Sequence, residues 1–410
     1  MTEQRCLSDL WGLSPLPPAE PSPSLPTRED DGAIVLGDGP MFHARSGVVV
    51  RLPASPTERR ALVPVLEGWA RAVLSERYRS GGAGESSAVM RGYYLIRPLL
   101  PRFLQIAMRR WHARLRADRS YLRWPFDGIF VALAESYLAL RIELDAADGS
   151  VLRFWPEGFS AAAVLTHDVE GLEGQARCEQ VASLEATYGF RSCFNFVAER
   201  YPLDHALMGE LRQRGCEIGV HGIKHDGKKF SSRATFEARL AALRHYQQEW
   251  QADGFRSPAT HRKWEWMPEL PFTYDSSYPD TDPYEPIPGG CGSPWPFHIG
   301  RLVELPITLP QDHTLWEILR LRAGDIWREK AMRLRDCQGL INIIVHPDYL
   351  STARRWEEYE TFLTWLRAEA GIWSALPREV AAWWSARGAR SQQVTLSTES
   401  DVWRLTFSLT

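Results

Sequence analysis

From residue 161 onward, apolar and polar positions fall into two alternating rhythms. Short apolar runs at 162–165, 192–197, 217–220 and 340–345 read as strands, with briefer candidates at Phe255, 274–276 and 302–305. Between them, residues 175–188, 205–214, 232–252, 315–337 and 356–368 carry helical periodicity. Gly215 and Gly254 close two of these helices, where a residue free of Cβ ends a helix at least cost. Strands alternating with helices predict βα units around a parallel sheet, open or closed to a barrel.

Upstream the pattern is less regular. Residues 33–36 and 48–52 read as short strands and 57–77 as a helix, with Leu62, Val65, Leu66, Trp69 and Val73 on one face and Pro64 as a point of kinking. Residues 130–142 form a second apolar helix. Residues 81–87 read as a flexible break, and residues 14–26 as extended chain, because Pro15, Pro17, Pro18, Pro21, Pro23 and Pro26 forbid helix. Residues 392–396 and 402–409 suit a terminal hairpin. The organisation expected is a Pro-rich N-terminus (1–32), an α+β accessory region (33–155), a catalytic α/β domain (156–390) and a terminal β-hairpin (391–410).

Composition narrows the class. The 410 residues are 44% hydrophobic and 24% charged, a folded globular balance. A net charge of −3 gives no bulk attraction to nucleic acid, and no nucleic-acid partner is expected. The six cysteines include no C-x-x-C pair, which argues against a Cys-based zinc or redox site. Residues 1–11 do not read as a secretory signal, and no apolar run suits a membrane span, so a cytoplasmic setting is expected. Residues 93–123 are locally basic: eight arginines face a single acid, Asp118. That segment reads either as an ordinary docking helix with a solvated face or as an interfacial helix touching anionic membrane.

The candidate chemistry lies after the strands. Parallel sheets place ligands beyond the carboxyl ends of their strands. There the chain carries Thr166-His167-Asp168-Val169-Glu170, then His221-Gly222-Ile223-Lys224-His225, then Arg256-Ser257-Pro258, then His346-Pro347-Asp348. His221 and His225 have the spacing of one helical turn and suit one metal ion. A carboxylate of the Asp168/Glu170 pair would complete a His₂-carboxylate site with an open position, the arrangement of hydrolytic metal centres. The other carboxylate would serve as base, and His346 as the acid toward a leaving group.

In this order the motifs resemble those of the polysaccharide deacetylases with the NodB-homology domain, carbohydrate esterase family 4, over residues 161–387. Thr166-His167-Asp168-Val169-Glu170 stands where that family has T-F-D-D or its spaced D-x-D variant. His221 to His225 matches H-[ST]-x-x-H, and Arg256-Ser257-Pro258 matches R-x-P. Tyr274-Asp275-Ser276-Ser277 stands for the fourth, Asp-containing segment, and Ile344-Val345-His346 for the fifth. The resemblance implies a distorted (β/α) barrel and metal-dependent removal of an N- or O-acetyl group from a sugar. It implies Asp168 as catalytic base, Glu170, His221 and His225 as ligands of a divalent metal, with zinc the expected ion, Arg256 as the group orienting the base, and His346 as general acid. Two departures stand out. Glu170 replaces the usual Asp, which leaves open that Asp168 is the ligand, and Gly222 replaces Ser or Thr.

Trp264 and Trp266 lie in an aromatic-rich stretch that suits a sugar platform or, equally, a packed loop core. Asp275 and Asp312 are further candidates for substrate contact. The partner expected is an acetylated sugar, in a polysaccharide or a lipid- or nucleotide-linked precursor. Rival readings are hydrolysis of a non-sugar amide and a catalytically inert carbohydrate-binding protein on the same fold.

Overall fold

The structure is a computed structural model that describes residues 6–14, 25–79, 110, 120–145 and 149–408. The Pro-rich stretch, the break at 81–87 and most of the basic 93–123 segment lie outside the described residues. Among the described residues no helix is long and apolar enough to cross a membrane.

The accessory region comprises α1 (Leu7–Trp11), β1 (Ile34–Val35), β2 (Met41–His43), β3 (Val49–Arg51), α2 (Pro56–Leu74), α3 (Ile129–Asp145) and β4 (Ser150–Leu152). The α/β part follows as β5 (Ala161–Val169), α4 (Leu172–Thr187), β6 (Ser192–Phe196), α5 (His205–Gln213), β7 (Glu217–Val220), α6 (Arg233–Glu249), β8 (Gly254–Phe255) and β9 (Tyr274–Asp275). It continues through β10 (Phe297–Ile299), β11 (Leu302–Glu304), α7 (Ala323–Asp336), β12 (Leu340–Ile344), α8 (Ala353–Ala368), β13 (Ile372–Ser374) and α9 (Pro377–Ala386). The chain ends on β14 (Ser391–Ser397) and β15 (Val402–Phe407).

The main sheet runs β10-β11-β9-β8-β7-β6-β5-β12, parallel throughout except for the β10–β11 hairpin. It curls until the chain beyond β11 meets its far edge, where Thr308 and Leu309 donate backbone N–H groups to the Asn342 carbonyl on β12. This is the distorted barrel expected. Every residue of β5, an interior strand flanked by β6 and β12, is buried.

The terminal hairpin is no separate unit. β14 pairs with β4 and β15 with β2, giving a second sheet in the order β1-β3-β2-β15-β14-β4. The strands of the accessory region are two or three residues long, and β14 and β15 join them into one surface. α3 lies between this sheet and α2, which explains why residues 129–134 and 137–140 are buried without an amphipathic stripe. The two halves meet through an aromatic cluster in which Phe154 stacks on Trp295 at 5.0 Å and on Trp384 at 5.9 Å, with Trp11 at 5.2 Å.

The single helix expected at 315–337 is two pieces. A wide turn spans His313–Leu319, Arg320 adopts a left-handed φ of 59°, and α7 starts at Ala323. Glu358 on α8 explains the break: its Oε2 accepts both the Ala323 N–H at 2.8 Å and Trp316 Nε1 at 2.9 Å. This buried carboxylate caps α7 across the fold, where no local residue does.

Near the start of β7, Glu217 is buried, accepting Tyr274 Oη at 2.7 Å and the Arg378 N–H at 3.1 Å. Burial outweighs these bonds and pushes its carboxyl up to about 7. The folded chain therefore holds more protons than the unfolded one between about pH 4.3 and 7, and stability falls as pH rises through that window. The expected contribution is on the order of 3 kcal/mol. Urea denaturation at pH 5 and pH 8 should show Glu217→Gln losing less stability across this interval than the wild type. An unchanged difference would show that Glu217 titrates normally.

Candidate active site

The period of two along β5 decides which side chains enter the barrel. Thr166 and Asp168 point inward, while His167 points out toward α4, with Nε2 2.7 Å from Glu185 and Nδ1 2.7 Å from the Val345 carbonyl. Glu170 follows one residue beyond the strand. His221 directly follows β7, Arg256 follows β8, and His346 lies two residues past β12. All these chain positions converge at the carboxyl end of the sheet.

The two histidines are not on a helix. Residues 221–228 form a loop in which Gly222 has φ 69° and His225 φ 50°, both left-handed. This folds the loop back and sets the two imidazole rings 5.2 Å apart. Asp226 anchors the turn through a two-pronged pair with Arg239 on α6 at 2.6 and 2.7 Å, and that pairing holds its carboxyl well below the usual range. A Cβ at Gly222 would lie 2.7 Å from Pro258, so the third motif excludes a side chain from the second. Gly222→Ala should therefore cost about 2–4 kcal/mol in urea denaturation, from the left-handed backbone and the clash together. A cost under about 0.5 kcal/mol would mean the loop relaxes freely.

Ligand atoms of Glu170, His221 and His225 all lie within 4.8 Å of one another. His225 Nε2 is 2.8 Å and His221 Nε2 3.7 Å from Glu170 Oε1. Both Nε2 atoms are buried and face the Glu170 carboxylate without an aligned hydrogen bond, which in a folded interior calls for an explanation. His221 Nδ1 faces the Arg256 carbonyl at 3.2 Å, a contact that puts the proton on Nδ1 and leaves the Nε2 lone pair for a cation. Two imidazole nitrogens and a carboxylate so disposed fit a divalent metal. Asp168 is not part of this triad, although its Oδ2 lies 3.8 Å from His221 Nδ1.

Asp168 is tied down on its other oxygen. Its Oδ1 accepts Asn195 Nδ2 at 3.0 Å and the Arg256 guanidinium at 3.2 Å. Arg256 is itself fixed by Thr166 Oγ1 at 2.7 Å, the Ser276 carbonyl at 2.8 Å and Ser276 Oγ at 2.8 Å. Burial alone would raise the Asp168 carboxyl, but His221, Arg256 and His346 together with the Asn195 amide hold it below its ordinary value. Glu170 is half-buried, and contacts from His221, His225 and His346 put it well below the carboxylate range.

Across the site, His346 Nε2 lies 3.7 Å from Glu170 Oε1 and 4.0 Å from Asp168 Oδ2. Its Nδ1 meets Asp312 Oδ1 at 2.6 Å, and its backbone N–H meets Asp312 Oδ2 at 2.7 Å. Burial opposes the charged imidazole, but Asp312, Glu170 and Asp168 overcome it and push the ring up to about 10.

Of the four substrate candidates, the two aspartates are engaged elsewhere and the two tryptophans lie apart. Asp312 is fully buried and binds His346 and the His313 N–H through both oxygens, so it orients the imidazole and is shut off from a substrate. Asp275 is fully buried on the outward side of β9 and accepts both Ser277 N and Ser277 Oγ at 2.9 Å. Its neighbour Ser276 faces Arg256, as the strand period demands. Trp264 and Trp266 form no common platform: Trp264 stacks on Phe297 at 6.1 Å, whereas Trp266 packs on Phe236 at 5.4 Å.

Several site residues escaped the sequence reading. Asn195 fits only because Gly219 lies opposite, where a Cβ would come within 2.1 Å of its Oδ1. Its signal was a lone amide between Phe194 and Phe196 in a buried strand. Tyr349, with its ring 5.0 Å from His346, and Arg200, 3.6 Å from Glu170 Oε2, carried no recognisable pattern.

No protein-family model matches the chain, and no curated protein does. Solved structures do resemble it. Among them is a Mycobacterium smegmatis protein described as a polysaccharide deacetylase, 18% identical, with TM-score 0.44 over 57% of this chain and 93% of its own. A Pseudomonas aeruginosa PAO1 protein with the same description is 14% identical, with TM-score 0.43 over 57% and 94%. A Bacillus subtilis peptidoglycan deacetylase is similar as well, 13% identical, with TM-score 0.36 over 56% of this chain and 94% of its own. Puue allantoinase is also similar, at 12% identity and TM-score 0.42 over 57% of this chain and 93% of that one. Likenesses this distant carry no argument about chemistry, which rests on the residues.

Proposed function

We propose that this protein is a metal-dependent hydrolase that removes an acetyl group from a sugar of a polysaccharide or of its lipid- or nucleotide-linked precursor. The observation that carries the proposal is the convergence of Glu170 with the buried Nε2 atoms of His221 and His225, which make no aligned hydrogen bond, flanked by a fixed carboxylate and a fixed imidazole. Glu170, His221 and His225 would hold a divalent cation, which supplies Lewis acidity toward a carbonyl oxygen and toward water.

The chain's own residues supply the proton transfers. Asp168 is ionised at neutral pH, and with Oδ1 occupied by Arg256 and Asn195 its Oδ2 is the atom that accepts a proton from attacking water. The Asp312 carboxylate at Nδ1 favours the charged imidazole of His346, which can donate from Nε2 to the leaving amine or alcohol. Base and acid thus stand in opposite protonation states because their surroundings push them apart. Arg256 neither gives nor takes a proton; it keeps Asp168 charged and aimed.

The test is product analysis with zinc-loaded protein on a panel of N- and O-acetylated oligosaccharides. Acetate release that tracks metal content supports the proposal. Ammonia release from non-sugar amides without acetate would replace it with the amidase reading. Stoichiometric sugar binding without turnover would leave an inert binding protein.

A further inference from the structure

The loop after His346 reaches back to the first carboxylate motif. Asp348 Oδ2 accepts the backbone N–H of Glu170 at 3.0 Å. The adjoining helix α4 begins after Gly171, which has no side chain with which to cap it, and the Asp348 carboxylate lies at that end. Two glycines make room for it. A Cβ on Gly174 would lie 2.0 Å from Asp348 Oδ2, and one on Gly171 3.1 Å from Oδ1. One turn further along, Arg177 donates to the carbonyls of Pro347 and Asp348 at 3.3 Å each. The loop carrying His346 is therefore stitched to the chain carrying Glu170.

We infer that Asp348 is a positioning residue for Glu170, fixing the backbone from which the metal-binding carboxylate extends. The inference rests on the metal reading above. Glutamate has one more rotatable bond than aspartate, so its carboxylate lands beside His225 reliably only if its main chain is held. Asp348 supplies that hold through a single bond to the Glu170 N–H. Because Asp348 lies two residues from His346, the same contact keeps the acid and the ligand carboxylate in register.

The experiment is zinc affinity, measured by competition with a chromophoric chelator, together with the melting temperature of metal-free protein. Asp348→Ala should weaken zinc binding about 10–100-fold, the usual cost of losing a group that orients a ligand. Asp348→Asn, which keeps an acceptor for the Glu170 N–H, should recover most of that affinity. In a Glu170→Ala background, Asp348→Ala should change the residual affinity little, because its effect runs through Glu170. A helix cap alone would lower the metal-free melting temperature and leave zinc affinity at the wild-type value, which overturns the inference. An equal loss in the Glu170→Ala background overturns it as well. Should Asp348→Ala not fold, Asp348→Ser, too short to reach the Glu170 N–H, carries the same comparison. Wild-type protein that binds zinc no better than His221→Ala would sink the metal reading itself, a separate failure.

Discussion

Replacing His221 or His225 by alanine abolishes stoichiometric metal binding and hydrolysis together. Each imidazole supplies a buried nitrogen that has no other partner, so its removal opens a void in the coordination and leaves two protein ligands. Two ligands hold a divalent ion poorly, and the loss should exceed the 10–100-fold typical of groups that merely orient a ligand. Both rings sit on a loop rather than within a strand or helix, and His225 is half-buried, so its replacement should cost little fold stability. For His225→Ala, loss of metal with a near-normal metal-free melting temperature is therefore the expected pattern, whereas His221→Ala also removes a fully buried ring. Elemental analysis finding full occupancy in both variants would end the assignment.

Asp168→Asn keeps its metal and loses turnover by about 10²–10⁴-fold, the usual range for a general base. The substitution preserves volume, and an amide oxygen can still accept from Arg256 or Asn195, so the barrel interior stays packed. What disappears is the basic Oδ2. His346→Ala should reproduce the loss from the acid side, and added imidazole should partly restore that variant where its cavity is reached. Metal analysis separates this reading from its rival. If Asp168→Asn strips the ion while Glu170→Gln retains it, the two carboxylates have exchanged roles.

Much of this site was legible in one dimension because strand ends are local features. An apolar run followed by ionisable residues marks the carboxyl end of a buried strand, and four such ends in a parallel α/β pattern must open on the same side. Asp168, Glu170, His221, His225, Arg256 and His346 were found that way, and the structure brings all six together. The spacing of His221 and His225 was informative for a different reason than helical geometry. Two left-handed residues, one of them Gly222, do the folding-back that a helical turn was expected to do.

What the sequence could not decide were choices made by contacts between distant segments. Whether Asp275 or Ser276 faces the barrel depends on strand phase, which one short strand of two residues does not reveal. Asp312 looked available to a substrate because its partner, His346, is 34 residues away. The end of one helix and the start of α7 were set by Glu358, on another helix altogether. The terminal hairpin appeared independent until β4 and β2 supplied its neighbours. The local pattern of apolar and polar residues determined which segments are strands and helices and where their chemistry collects. Tertiary packing alone decided which carboxylates reach the site and which are consumed in holding it, because a buried charge takes whatever partner the fold delivers.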